Sequence, residues 1–158
     1  MNSSKDVNEW IDEVLFEYSL QKNSCSSFKK DFAGYYSQEL LSSAYYVVVD
    51  EIPLPTFLTE INVRFKEFLD LDTHGITYKD TYFIKGDHLT NKALHFHELV
   101  HVVQWRLLGA EDFIERYLGE LDAYGYDEAL LEKMAYGLQA DYEERKVFNV
   151  ENIVKGNL

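Results

Sequence analysis

Residues 95–105 read HFHELVHVVQW, and the expected architecture and chemistry both follow from this stretch. Thr90 is a suitable N-cap, Gly109 is a suitable residue just past the C-terminus, and no proline lies between them. We therefore predict one long helix here. Its apolar side chains recur at helical spacing and are predicted to face the core: Phe96, Val100, Val103 and Leu107.

The predicted helix contains an HExxH motif formed by His97, Glu98 and His101. Two histidines four residues apart project from the same side of a helix, so they can offer two nitrogens to one Zn²⁺, and the glutamate can reach a metal-bound water. Gln104 shares their sector, whereas His95 lies roughly opposite and is excluded from the same ion. A bare HExxH also occurs by chance, but polar side chains beside the buried stripe of a capped helix favour a metal site.

A catalytic zinc site needs a third protein ligand and an open position for water. No histidine follows His101, Cys25 lies far upstream, and His74 and His88 are predicted loop residues. The third ligand is therefore predicted to be a later carboxylate, among which periodicity does not choose. The candidates are Glu111, Asp112, Glu115, Glu120, Asp122, Asp127, Glu128 and Glu132.

The motif and the segments that follow it resemble a known family. HELVHVVQW, RLLGAEDFIERYL, a turn at Gly125-Tyr126 and LEKMAY resemble the small gluzincin-type metallopeptidases of bacteria, which include a domain of contractile injection system core proteins. Those proteins carry HExxHxxQ on one helix and a glutamate in an ExxAY-like stretch on a following helix. The resemblance covers roughly residues 76–140. The matching positions are His97, Glu98, His101, Gln104, Glu132, Ala135 and Tyr136.

This resemblance implies a minimal zincin-like domain with Zn²⁺ as cofactor and Glu132 as the third ligand. The separation between His101 and Glu132 is longer than in thermolysin-like enzymes, in which a shorter gap would point near Glu120. Gln104 is a candidate to orient a metal-ligating side chain through a hydrogen bond without binding the metal itself.

The expected function is that of a zinc-dependent metallopeptidase acting on a peptide or protein substrate. Glu98 would take a proton from the zinc-bound water as general base and later give it to the leaving amine. Tyr124, Tyr126 and Tyr136 are candidate donors to the oxyanion. The predicted strand over residues 81–85 leads into the helix and is expected to be an edge strand that pairs with extended substrate.

Two other functions stay open from the sequence. The first is a zinc-binding or metal-free interaction or assembly module that keeps a zincin-like fold without turnover. An intact Glu98 favours the enzyme, whereas the small size of the chain favours restricted or partner-dependent activity. The second is a toxin-like effector peptidase, which the acidity of the chain permits.

Composition bounds the remaining possibilities. The chain has 158 residues, which suits a single domain over 1–158. Its 28 acidic and 15 basic residues give a formal charge of −13, which disfavours nucleic acid and anionic membranes as partners. The single cysteine, Cys25, excludes an internal disulfide framework. Since no run resembles a membrane span or a secretory signal, a cytoplasmic location is expected.

Hydrophobic patterning predicts helices, a few strands and then further helices, an α+β class that is mostly helical with a small sheet. The predicted helices cover about residues 5–21, 28–40 and 56–69, followed by helices from 90 to about 148. The predicted strands cover residues 45–49, 76–78 and 81–85, and the last two are either separate strands or one hairpin.

Overall fold

The computed structural model describes residues 3–158. Helices make up 59% of the structure beside a small mixed sheet, which confirms the predicted α+β class. The α-helices are α1 (Ser3–Glu17), α2 (Gln38–Ser42), α3 (Leu58–Ile61), α4 (Lys66–Leu69), α5 (Lys92–Leu108), α6 (Ala110–Tyr124), α7 (Leu130–Glu143) and α8 (Val150–Asn157). The strands are β1 (Asn23–Ser24), β2 (Tyr45–Val49), β3 (Gly75–Tyr78) and β4 (Thr81–Lys85). Within residues 3–158, no helix is both long enough and apolar enough to cross a membrane.

The four strands are arranged in the order β1-β2-β4-β3. β2 and β4 pair in parallel, and β3 pairs antiparallel with β4 as a hairpin. The expectation that residues 81–85 form an edge strand is wrong, because β4 lies inside the sheet and β3 lies at its edge. The pairing of β2 with β4 joins segments that are far apart in sequence, so no local pattern reveals it.

Helix α5 is the central element of the fold. It contacts β3 and β4 on one side and α6, α7 and α8 on the others, so every residue from His95 to Trp105 is buried. The predicted core residues Phe96, Val100 and Val103 are indeed buried. Leu107 is 45% exposed, contrary to prediction, because it lies in the last turn of the helix.

The helix predicted over residues 28–40 does not form. A 3₁₀ helix over Cys25–Phe28 leads into turns, Gly34 adopts a φ of 86°, and a new short helix, α2, begins after its N-cap Ser37. A glycine with this positive φ cannot continue a right-handed helix, which explains the break. The aromatic side chains of this segment instead pack against Phe96 of α5.

Other helices differ from the predictions mainly in their bounds. The first helix ends at Glu17 rather than near residue 21. The helix predicted over 56–69 is divided at Asn62, whose side chain caps the 3₁₀ helix Val63–Phe65. Asn62 competes with the helical backbone for hydrogen bonds, and residues of this type favour caps over helix interiors.

Candidate metal centre

Local sequence determines how α5 presents its two histidines. The helix begins after Asn91 rather than Thr90, and the Asn91 side chain accepts a hydrogen bond from a backbone amide of the first turn. Gly109 ends the helix as predicted, with a φ of 83° that glycine adopts without strain. The uninterrupted helix between these residues brings Nε2 of His97 within 3.2 Å of Nε2 of His101.

Helix α7 supplies the carboxylate that faces these histidines. Its N-cap residue Ala129 makes no side-chain capping hydrogen bond, and the carboxylate of Glu120 on α6 accepts the backbone N–H of Leu131 instead, at 2.8 Å. Glu120 also accepts a hydrogen bond from Arg116, so both of its oxygens are engaged away from the histidines. Glu132 lies in the first turn of α7 and reaches α5.

His97, His101 and Glu132 form a buried cluster. Oε1 of Glu132 lies 3.2 Å from Nε2 of His97 and 3.0 Å from Nε2 of His101. The three side chains offer ligand atoms within 4.8 Å of one another and are at most 4% exposed as residues. Two imidazole nitrogens and one carboxylate oxygen at this spacing can hold a metal ion.

Gln104 fixes the orientation of His101. Its Oε1 lies 2.8 Å from Nδ1 of His101, and its Nε2 donates to the carbonyl of Leu131 at 3.0 Å. Because the carbonyl requires the NH₂ group, the amide oxygen must face the imidazole. Nδ1 of His101 therefore carries a proton, and Nε2 is the nitrogen directed into the cluster, where it can bind a metal once it is deprotonated.

Gln139 plays the same part for His97 from helix α7. Its Oε1 lies 3.0 Å from Nδ1 of His97, and its Nε2 donates to Glu143 at 3.3 Å. Both histidines are thus held with Nε2 directed toward Glu132, where a cation would bind. Gln139 follows Glu132 by seven residues and so lies on the same side of α7, but this spacing alone gives no reason to assign Gln139 to the site.

Tyr117 on α6 holds the second oxygen of Glu132. Its hydroxyl donates to Oε2 at 2.5 Å, so the carboxylate presents Oε1 alone to the histidines. Burial raises the pKa of Tyr117 well above its ordinary value, and the negative charge of Glu132 raises it further, so the hydroxyl keeps its proton. No sequence signal identified Tyr117, because its contact with Glu132 joins two different helices.

Glu98 lies beside the cluster without joining it. Its Oε2 is 3.9 Å from Nε2 of His97, and its Oε1 accepts a hydrogen bond from Thr77 of β3 at 3.0 Å. Burial raises the pKa of Glu98, although the two histidines oppose that shift. Glycine at position 75 leaves room for this side chain, since a Cβ there would lie 3.3 Å from Cδ of Glu98.

Glu132 and His101 stabilise each other's charged forms. Burial favours the neutral form of His101, but the negative charge of Glu132 and its hydrogen bond outweigh burial and raise the pKa of His101 to about 9. Burial likewise favours a protonated Glu132, yet the charge of His101 and the hydrogen bonds from both histidines hold the pKa of Glu132 well below its ordinary value. Without a metal, the cluster therefore holds a proton at the position that a metal cation would take.

Two of the three candidate tyrosines lie near the cluster. The Tyr136 ring lies 4.4 Å from the His97 ring, and its hydroxyl is 2.9 Å from the hydroxyl of Tyr126. Tyr124 is 58% exposed at the end of α6 and lines neither cavity beside the cluster. The structure therefore does not bring Tyr124 to the cluster, because Tyr124 lies in the last turn of α6 with its side chain largely exposed.

The other three histidines have partners outside the cluster. His95 faces away from the cluster as predicted, between the Tyr82 hydroxyl and the Leu89 carbonyl, each at 2.7 Å. His74 and His88 stack on each other with ring centroids 4.0 Å apart. In residues 3–158, the His97, His101 and Glu132 group alone brings three such ligand atoms together.

Two adjoining cavities meet at the cluster. One is an apolar chamber whose wall includes Glu98, His101 and Glu132, and the other is a more polar cleft lined by His97, Glu98 and Gln139. Glu98 borders both cavities, as do Thr73, Gly75 and Tyr126. The cluster is therefore buried yet lies next to space that a ligand can enter.

Comparison of the chain with protein-family models, with curated proteins and with solved structures found no match. The resemblance to gluzincin-type peptidases accordingly stays a prediction. The geometry itself supports a coarser statement, which is that His97, His101 and Glu132 form a buried group able to hold a metal ion.

Proposed function

We propose that this protein is a zinc-dependent metallopeptidase of the gluzincin type. His97, His101 and Glu132 would hold Zn²⁺, and Glu98 would act as general base. One observation carries the proposal: Oε1 of Glu132 meets Nε2 of both histidines at 3.2 and 3.0 Å, while Glu98 of the same helix stands just outside that group.

The donor set favours zinc as the metal. Two imidazoles and one carboxylate match the ligands of known zinc peptidases, which leave the fourth position open. The glutamine partners of both histidines and the tyrosine partner of Glu132 are the kind of outer contacts that orient zinc ligands. When bound, zinc supplies the Lewis acidity that makes water a nucleophile and polarises a peptide carbonyl.

Glu98 is suited to move the proton. Thr77 holds Oε1, so Oε2 stays directed toward the side of His97. Its raised pKa brings the carboxyl closer to the operating pH, at which a base can accept a proton from water and return it to the leaving amine.

The substrate would lie along β3. The strand at the edge of the sheet next to the site is β3 and not β4, and Gly75 of β3 borders Glu98. An extended peptide could add to this edge through backbone hydrogen bonds. The hydroxyls of Tyr126 and Tyr136, next to the cleft, are the proposed donors to the oxyanion.

Metal content and turnover test this proposal together. The protein is loaded with zinc, its metal is measured by elemental analysis, and it is incubated with a library of quenched fluorescent peptides. We expect one zinc per chain and hydrolysis of some peptides. Glu98→Gln should keep zinc and lose hydrolysis by about 10²–10⁴-fold, whereas Glu111→Gln, an exposed position on α6, should change neither.

The same experiment distinguishes an enzyme from an interaction module and tests the metal site separately. Full zinc loading with no cleavage of any peptide would favour an interaction module over an enzyme. Metal far below one equivalent after zinc is offered would overturn the metal site itself.

A further inference from the structure

The apolar chamber next to the metal cluster is lined largely by segments that carry no metal ligand. Ile11 of α1, Leu58 of α3 and Leu121 of α6 line it, together with Trp105 of α5 and Phe113 of α6. α1 and α3 lie outside the stretch that resembles gluzincin-type peptidases. The chamber is thus a feature of this chain's own N-terminal half packed against α6.

The chamber wall offers little to a polar ligand beyond the metal cluster and Glu98. Its only charged side chains are Glu98, His101 and Glu132. Its other polar side chains already have partners: Thr73, Thr77, Tyr78, Tyr117 and Tyr126. The Trp105 indole N–H has no partner, but this atom is inaccessible and so offers no donor to the chamber.

The size of the chamber limits what it can hold. Its volume is about 70 Å³, several times the roughly 10–15 Å³ that one water requires but about half of the ~150 Å³ that accommodates a benzene ring. An aliphatic side chain of a few carbons suits this space better than an aromatic one. An apolar space that stays open within a packed core forfeits contacts, which a bound side chain would restore.

We propose that this chamber is a specificity site for a branched aliphatic side chain of the peptide substrate, next to the scissile bond. The proposal rests on the proposed peptidase function, because the substrate carbonyl must lie at the cluster for its side chain to enter the chamber. Thr73, Gly75, Glu98 and Tyr126 border both the chamber and the polar cleft, so a peptide in the cleft can send a side chain inward.

Three simple hydroxamates test the proposal by binding rather than by turnover. Acetohydroxamate, 4-methylpentanohydroxamate and 3-phenylpropanohydroxamate share one zinc-binding group and differ in the attached chain. Their affinities for the zinc-loaded protein are measured by calorimetry. We expect the branched aliphatic compound to bind about tenfold or more tightly than acetohydroxamate, and the phenyl compound to bind less tightly than the branched one.

Leu118 of α6 lines the chamber and is only half-buried, which makes it the residue to substitute. Leu118→Phe should fill the chamber and remove the advantage of the aliphatic compound, whereas Leu118→Ala should enlarge it and favour the phenyl compound. Leu108→Phe is the control, because Leu108 packs against the same core cluster without lining the chamber. A change of preference in opposite directions separates a binding site from a general loss of stability.

Each result has one meaning. Equal binding of all three compounds, unchanged by either Leu118 substitution, would overturn the specificity site and leave the zinc peptidase standing. Failure of all three hydroxamates to bind the zinc-loaded protein would overturn the open zinc position, and with it both proposals.

Discussion

The hydroxyl of Tyr117 donates to Oε2 of Glu132 and so leaves Oε1 as the single carboxylate oxygen between the two histidines. Tyr117 belongs to α6, while its partner belongs to α7 and the histidines to α5. Three helices therefore fix one oxygen atom. The position of this ligand oxygen therefore depends on how the three helices pack.

Removing the Tyr117 hydroxyl should weaken metal binding. We expect Tyr117→Phe to lower zinc affinity about 10–100-fold, because partners of metal ligands contribute on that scale. Competition with a chromophoric chelator measures the affinity. Tyr124→Phe, at an exposed position of the same helix, should leave it unchanged; an affinity equal to wild type in Tyr117→Phe would contradict the assigned role.

Glu132 and Glu128 should respond differently to substitution. Glu132→Ala leaves two protein ligands, fewer than the three of a catalytic zinc site, so zinc should no longer bind stoichiometrically. Glu128→Ala removes only the surface contact with Lys133 and should retain full zinc. Elemental analysis after gel filtration distinguishes the two variants.

Glu120→Ala separates the structural carboxylate from the ligand. Glu120 is 7% exposed and receives the backbone N–H of Leu131, so its loss should lower the free energy of unfolding by about 1–3 kcal/mol. Zinc stoichiometry should persist, as denaturant titration and elemental analysis together can establish. If Glu120→Ala loses zinc while Glu132→Ala keeps it, the third ligand is Glu120 and the shorter spacing holds.

Zinc binding should release a proton near neutral pH. The pKa of His101 is raised to about 9, because Glu132 outweighs the opposing effect of burial. His101 is thus protonated at pH 7.5 without the metal, and its Nε2 must lose that proton to bind zinc. Calorimetry in two buffers of different ionisation enthalpy should give about one proton released per zinc; a count near zero at pH 7.5 would contradict the raised pKa.

The same shift predicts how the stability of the zinc-free protein depends on pH. A raised pKa means that the folded state binds the proton more tightly than the unfolded one. The attraction between His101 and Glu132 therefore contributes fully between about pH 4.5 and about pH 6.5, the ordinary pKa values of glutamate and histidine, because Glu132 must also stay charged. We expect this contribution to fade as the pH rises through about 9, and thermal denaturation of chelator-treated protein can follow it.

Gly75→Ala should displace Glu98 without removing the metal. The added Cβ would lie 3.2 Å from the backbone oxygen of Phe83 and 3.3 Å from Cδ of Glu98. We expect kcat to fall about tenfold or more at unchanged zinc content, because small misplacements of catalytic groups are costly. Gly119→Ala, with nothing within 4 Å, is the control and should stabilise α6 by about 0.5–1 kcal/mol.

The local sequence was sufficient to predict several parts of this protein. Helical spacing placed His97 and His101 on one side of a helix and turned His95 away, because a continuous helix determines the direction of each side chain. Gly109 predicted where that helix ends, and a β-branched run predicted β2. The choice of Glu132 came from resemblance rather than from periodicity.

Only the tertiary structure decided how separate segments meet. The parallel pairing of β2 with β4 places β3 at the edge, and the contact of α6 with α7 gives Glu120 to a helix cap and Tyr117 to Glu132. These contacts join residues that are distant along the chain, so they depend on packing that local patterns do not encode. Helix α5 is buried on every side, and for that reason its periodicity indicated the direction of each side chain but not its partner.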